Sequence, residues 1–314
     1  MSTVVHAPSP AADTRAAVTP PRRRRPWRGV RVSLWFAGPA LALYLFVSVW
    51  PALRGAFFAF TDWDGISSGF RFVGFDNFAR VLQDPLALAS LVNTFVLAAV
   101  VMVLQNAIGL ALALALNTRL KTSGALRVAF FAPVVLTPLV AGYIWSYLLA
   151  PDGGVNSVFR AIGLGAFAQD WLGDPKFALG SICVAILWQF SGYSMVIYLA
   201  GLKGIPSELI EAAVVDGAGP WTRFRSIVFP LINGAFVINL LLTLIGGLGQ
   251  FDQVFAMTQG GPGTSTVTIS LVIYKNGFQL GDYPFATALA VLLSLVVGVL
   301  ALLQYRLTSR QVQR

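Results

Sequence analysis

The sequence predicts an all-α membrane protein with six transmembrane helices and both termini in the cytoplasm. Three observations carry that expectation. Hydrophobic residues make up 56% of the 314 positions and charged residues only 11%, whereas a soluble domain carries about 25% charged residues. Six apolar segments, near 34–53, 89–116, 128–150, 179–200, 231–250 and 284–305, are each long enough to cross a hydrocarbon core of about 30 Å as a helix. Sixteen of the 22 Lys and Arg fall in the segments that lie inside if the N-terminus is cytoplasmic, an asymmetry that sets the orientation.

Residues 1–33 are rich in Ala, Pro, Ser, Thr and Arg and read as a disordered basic cytoplasmic tail. Arg22 to Arg25, Arg28 and Arg31 crowd before the first span. A twin-arginine export signal is the rival reading. The apolar stretch that follows is as long as a span and lacks a clean small-residue cleavage site, so a retained anchor is expected. Residues 34–88 then hold the first span and its external loop, 89–306 the other five spans, and 307–314 a short cytoplasmic tail.

The net charge of +9 invites a nucleic-acid reading. The basic residues gather at the ends of apolar segments instead, which is a topology signal toward lipid, and no nucleic-acid partner is expected. Cys183, the only cysteine, sits in an apolar run, and His6, the only histidine, in the Pro/Ala-rich tail; no metal or disulfide framework follows. No GxxxxGK[ST] occurs, so no nucleotide site of that kind and no cofactor are expected.

All 35 charged residues lie outside the six segments as drawn. Ionisable groups within a bilayer are costly and mark proton relays or ion pathways. A chain without them has no evident intramembrane means of ion coupling, so its driving force is expected to enter from outside the membrane. Neither does it offer a base near a nucleophile or a carboxylate pair for catalysis. A non-enzymatic subunit is expected.

The entry point is the stretch 204–230, GIPSELIEAAVVDGAGPWTRFRSIVFP, the longest charged interruption in the second half. Ser207 reads as an N-cap, with Glu208 and Glu211 near the positive helix end. Asp216-Gly217-Ala218-Gly219 breaks the helix, and Pro220 opens a second one. Two short helices meeting at a turn form a docking element, and Ala212 with Ala213 would keep one face low for a partner. Glu211-Ala212-Ala213, Gly217, Ile227 and Pro230 resemble the EAA loop of permease subunits of binding-protein-dependent ABC importers. Gly204-Ile205-Pro206 and Asp216-Gly217-Ala218 fit the carbohydrate branch. Phe229 departs from the usual Leu. Phe72 to Phe78 and the run Phe251 to Gly263, with its Gly-Gly-Pro, also resemble family segments, the latter as a loop facing the external vestibule.

Uncharged polar residues inside the spans remain as sources of specificity. Gln189 and Tyr193 are four apart, and Thr243, Gly247 and Gln250 follow i, i+4, i+7. Hydroxyls, amides and an aromatic face suit a neutral polyhydroxylated ligand, with Gly247 leaving room. Packing between membrane helices uses the same residue types, and on spacing alone both readings stand. The resemblance favours a ligand role, because Tyr193, Thr243, Gly247 and Gln250 fall on sugar-contacting positions of maltose-type members; Gly247 replaces a polar residue there. Asn93, Gln105, Asn106 and Asn239 are left without a register.

The resemblance, over about residues 30–306, implies a type I ABC importer permease fold in the cytoplasmic membrane. It implies a second permease subunit, an ATPase dimer that grips Glu211, Ala212, Ala213, Asp216 and Gly217, and an extracytoplasmic binding protein that delivers sugar. The same machinery for a phosphorylated polyol or peptide, and a stand-alone secondary carrier, are the alternatives.

Overall fold

The computed structural model describes residues 28–67, 69–118 and 121–309, and the basic run Arg22 to Arg25 lies outside them. The described chain is helical; its one bridge pairs Thr61 with Phe72. It divides into two compact units at Ala52 and Leu53.

The first unit holds α1 (Arg28–Tyr44), a π-helical turn at Leu45–Val49, and the start of α2 (Trp50–Phe58). Residues 28–33, part of the stretch expected to be disordered, are therefore helical. Leu43, Phe46 and Trp50 are exposed, which suits a surface made for lipid or protein rather than water.

In the second unit, α3 (Asp76–Gln83) leads into α4 (Pro85–Leu116), which Asp84 caps by accepting from the Ala87 N–H, with Pro85 in the first turn. After α5 (Ser123–Phe131) the chain breaks. A short 3-10 turn, Ala132–Val135, runs into Leu136 and Thr137 in extended conformation, and α6 (Pro138–Leu148) leaves at 99°. The expected continuous span 128–150 is thus two pieces. Proline disfavours helix at the residue before it, and Thr137 then caps α6 by accepting from the Val140 N–H.

Next come α7 (Gly154–Ala161) and α8 (Pro175–Lys203), the latter uninterrupted and heavily buried. The loop helices α9 (Ser207–Val215), α10 (Pro220–Arg223) and α11 (Phe229–Leu231) follow, with a π-helical turn at Phe224–Val228. Then α12 (Asn233–Leu248) sets off at 70° to the preceding segment, so the expected span 231–250 is also bent. The chain closes with α13 (Asp252–Met257), α14 (Ile269–Tyr274), a π-helical stretch at Lys275–Leu280, and α15 (Tyr283–Ser309).

Among the described residues four helices are long and apolar enough to cross a membrane, and up to six segments are if each bent pair counts as one. Helices α4, α8 and α12 form the centre. At Gly109 of α4 an added Cβ would lie 2.5 Å from Ser194 Cβ of α8, and at Gly247 of α12 one would lie 2.8 Å from Ala98 Cα of α4. These glycines let the three backbones approach closely, as small residues do between membrane helices.

Candidate functional site

Two regions hold the residues singled out by sequence. The first is a cleft of about 260 Å³ between α4, α8 and α12. Tyr193, Thr243, Gly247 and Gln250 all line it, together with Gln105 and Phe190. Tyr193 is 40% exposed and offers both a ring face and a hydroxyl. Around it the wall is mainly apolar, with a few uncharged polar groups, a composition suited to binding a small neutral molecule.

Below Thr243 lies a buried polar network. The Asn106 side-chain amide donates to Thr243 Oγ1 (2.9 Å), and Asn106 Oδ1 accepts from Tyr198 O–H (2.5 Å) and from Asn239 Nδ2 (2.8 Å). The Thr243 hydroxyl donates, shared between the two, to the carbonyls of Asn239 and Leu240. Joined in this way, four polar side chains from three helices fix the relative register of α4, α8 and α12, with Asn239 Oδ1 the one buried acceptor of the group left without a partner. Asn106 and Asn239 thereby acquire roles that the sequence could not assign, since the partners are 133 residues apart in the chain.

Gln189 is not in the cleft. It is fully buried, donates to the Leu136 carbonyl at the break before α6 (2.9 Å), and accepts from Gln253 (2.7 Å). Gln253 in turn accepts from Gln250. Gln189 and Tyr193 therefore do not act side by side: one ties the broken segment to α13, and the other faces the cavity. Gly247 lines the cleft, but the space of its missing side chain is taken up by Ala98 rather than left for a ligand. Open space is found instead at Gly246, where an added Cβ would meet nothing within 4 Å.

The second region is the loop of α9 to α11. Pro206, at φ −58° and ψ 131°, takes the capping position, so Ser207 is the first helical residue and not the N-cap. At the other end Gly217 adopts φ +77°; its N–H donates to Val214 O and that of Ala218 to Ala213 O. This is a Schellman ending, and the left-handed conformation explains the glycine. No atom lies within 4 Å of a Cβ built there. Glu211, Ala212, Asp216 and Gly217 are exposed, and so are Val215 (87%) and Trp221 (70%). Ala213 differs: it is buried, turned toward its own chain, so only Ala212 of the pair offers a low surface.

A ladder of rings runs inward from this loop. Trp221 lies against Phe224 (5.7 Å between centroids), Phe224 against Phe229 (6.0 Å), Phe229 against Phe236 (5.4 Å), and Phe236 against Tyr198 (6.4 Å). Tyr198 belongs to the Asn106 network, so loop and cleft are joined by an unbroken series of contacts. Phe229, the departure from Leu, is the middle rung.

On the far side of the second unit, the Gly-Gly-Pro turn is wound tightly. Gln259, Gly260 and Gly263 have positive φ, and the peptide between Gly261 and Pro262 is cis. Asn93 Nδ2 on α4 donates to the carbonyls of Thr264 and Val267, and Thr94 Oγ1 accepts from the Ile269 N–H. Nearby, Arg80 pairs with Asp282 at 2.6 Å. Asp62 accepts from the Arg71 backbone N–H and guanidinium, which together hold its carboxyl below the ordinary range.

Residues 105–314 match the family described as "Binding-protein-dependent transport system inner membrane component". The chain is 34% identical over 310 residues to the diacetylchitobiose uptake system permease protein NgcF of Streptomyces coelicolor, covering 95% of this chain and 87% of that one. It is also 34% identical to AmyD of Thermoanaerobacterium thermosulfurigenes, a probable permease for starch degradation products, covering 88% and 93%. MsmF of Streptococcus mutans, a multiple sugar-binding transport system permease, is 32% identical over 86% and 92%. Among solved structures, a bacterial ABC transporter that imports the acidic polysaccharide alginate superposes with a TM-score of 0.78, at 24% identity, over 90% of this chain and 96% of that one. The fold is therefore that of an ABC importer permease, and the family match and the relatives show that this multi-pass chain belongs to the binding-protein-dependent transport system inner membrane components, the non-catalytic permease subunits of ABC importers.

Proposed function

We propose that the chain is one permease subunit of an ATP-driven carbohydrate uptake system, and that the cleft between α4, α8 and α12 forms its share of the sugar pathway. The cleft carries this reading: neutral polar groups and an aromatic face surround a cavity without a charged side chain in its lining. A phosphorylated cargo would call for a cation there. The names of the relatives, which handle chitobiose, starch products and several sugars, support the same class.

In this reading the six apolar segments, two of them bent, cross the inner membrane with both termini in the cytoplasm, and the chain divides as 1–33, 34–88, 89–306 and 307–314. A related permease completes the pathway. An ATPase dimer takes α9 into a groove, a helix-in-groove contact, through Glu211, Ala212, Asp216 and Gly217. An extracytoplasmic binding protein delivers the solute. Closure of the ATPase dimer on ATP draws on α9, the ring ladder carries the displacement to Tyr198, and α8 and α12 reorient about the cleft. Hydrolysis reverses the motion.

The test is solute-stimulated ATP hydrolysis by the reconstituted complex, screened over mono- and disaccharides. Stimulation by a subset of neutral sugars is expected. Uptake by this chain alone without an ATPase, or stimulation by peptides and not by any sugar, would overturn the proposal.

A further inference from the structure

Three glutamines link the cleft to a single backbone carbonyl, and that carbonyl fixes their orientation. A carbonyl oxygen only accepts, so the Leu136 oxygen requires the amide nitrogen of Gln189. Gln189 Oε1 then faces Gln253 and requires its nitrogen (2.7 Å). Gln253 Oε1 is left to accept from the nitrogen of Gln250. Each amide has two ends, and each end is determined by the one before it. The last free end, Gln250 Oε1, has no protein partner among the described residues, and Gln250 lines the cleft.

The same logic applies independently on the opposite wall. Gln105 Nε2 donates to the Phe190 carbonyl (3.3 Å) and to Ser194 Oγ (2.9 Å), which leaves Gln105 Oε1 for the cavity. Thr243 adds no free proton, because its hydroxyl already donates to two carbonyls.

We infer that the cleft is selective for neutral, hydroxyl-donating sugars and rejects acidic ones, because Gln250 and Gln105 both present acceptor oxygens. Gln253 is the positioning residue that holds Gln250 in this sense. The inference rests on the sugar-importer reading and narrows it. A carboxylate entering this cleft would meet two carbonyl oxygens and no cation, with the rotatable Tyr193 hydroxyl as the one O–H left to face it, an arrangement that disfavours an anion. The solved relative in fold has an acidic polysaccharide as cargo; the present cleft is built for the opposite.

The test is equilibrium binding of radiolabelled sugars to the complete transporter in nanodiscs. A neutral hexose oligomer is compared with the matching uronic-acid oligomer. The neutral form is expected to bind at least about tenfold more tightly, since a site with fixed hydrogen-bond polarity discriminates strongly against a mismatched group. In Gln253→Leu the Gln250 amide is free to turn, and the preference should narrow severalfold; a purely structural role would weaken both sugars alike. Because Gln253 is buried and its variant could fail to assemble, Gln250→Leu gives a second reading. It removes one acceptor from the cleft and should narrow the preference as well. Equal binding of the two sugars to the wild type, or an unchanged preference in assembled variants, would overturn the polarity argument alone. Binding of neither sugar would overturn the sugar reading and this inference with it.

Discussion

The cleft and the α9–α11 loop are built on opposite principles. Around the cleft the polar side chains bond mainly to one another: Asn106 joins Tyr198, Asn239 and Thr243, and Gln189, Gln253 and Gln250 form a chain to Leu136. In the loop, Glu211, Ala212 and Asp216 are exposed and Val215 and Trp221 present bare apolar surface. The polar groups of one region are held mainly by bonds within the chain, whereas the other presents polar and apolar groups to its surroundings. In the proposed reading selection and energy entry are thereby separated, and the ring ladder through Phe229 joins the two regions.

The largest contrast should come from thiol labelling. Cys183, the natural cysteine, is buried and apolar surroundings keep such thiols unreactive. Single cysteines at Ala212 and Ala213 should therefore behave as opposites in this chain isolated in detergent. Ala212→Cys labels rapidly, and Ala213→Cys labels only after denaturation. On assembly with the ATPase, Ala212→Cys should become protected; labelling that is unchanged by assembly would break the comparison.

Asn106→Leu should follow in size. It strands the Tyr198 hydroxyl and the Asn239 amide in a buried site, at a cost of about 3 kcal/mol in stability. Thermal unfolding in detergent measures it. A shift no larger than that of a surface substitution would mean that the network does not organise α4, α8 and α12.

Phe229→Leu is milder, since it keeps apolar volume but removes two ring contacts, worth about 1 kcal/mol. Its effect should appear as a reduced ratio of stimulated to resting ATP hydrolysis with unchanged sugar binding. A change in sugar binding alone would place Phe229 with the cleft instead of the loop.

The smallest effect belongs to Asp62. Folding lowers its pKa below the ordinary value of 3.8, chiefly through the Arg71 backbone N–H and then its guanidinium. The stabilisation is present above that value and disappears as pH falls through the lowered one. The pair is solvent-exposed, so Asp62→Asn should leave neutral-pH stability nearly untouched. Acid unfolding curves of variant and wild type should converge at low pH; a large difference at neutral pH would contradict this.

The two regions also differ in how far sequence alone reached them. The loop was legible because its information is local: Pro206, Gly217 and Pro220 each constrain the backbone where they stand, and the turn formed as their chemistry requires. Even there the cap moved by one residue, because Pro206 already has the extended conformation a cap needs. The spans were legible as apolar runs but not in shape. Thr137-Pro138 breaks the third and Ile232 interrupts the fifth, and hydropathy is blind to both. Least legible was the network. Asn106 or Gln105 reads as mere polarity until helices distant in sequence come together. Gln189 shows the reverse error, a residue with suitable chemistry and spacing whose amide is engaged elsewhere.

The measurement closest to the central claim is solute-stimulated ATP hydrolysis of the reconstituted complex carrying Gly217→Val, run beside Gln250→Leu over a panel of sugars. A β-branched residue at φ +77° strains the turn by about 1–2 kcal/mol without meeting any atom of its own chain. Gly217→Val is expected to lower stimulation about tenfold for every sugar while leaving their ranking intact, and Gln250→Leu to alter the ranking. If Gly217→Val leaves stimulation at the wild-type level, or changes which sugar is preferred, the separation of energy entry from selection is wrong.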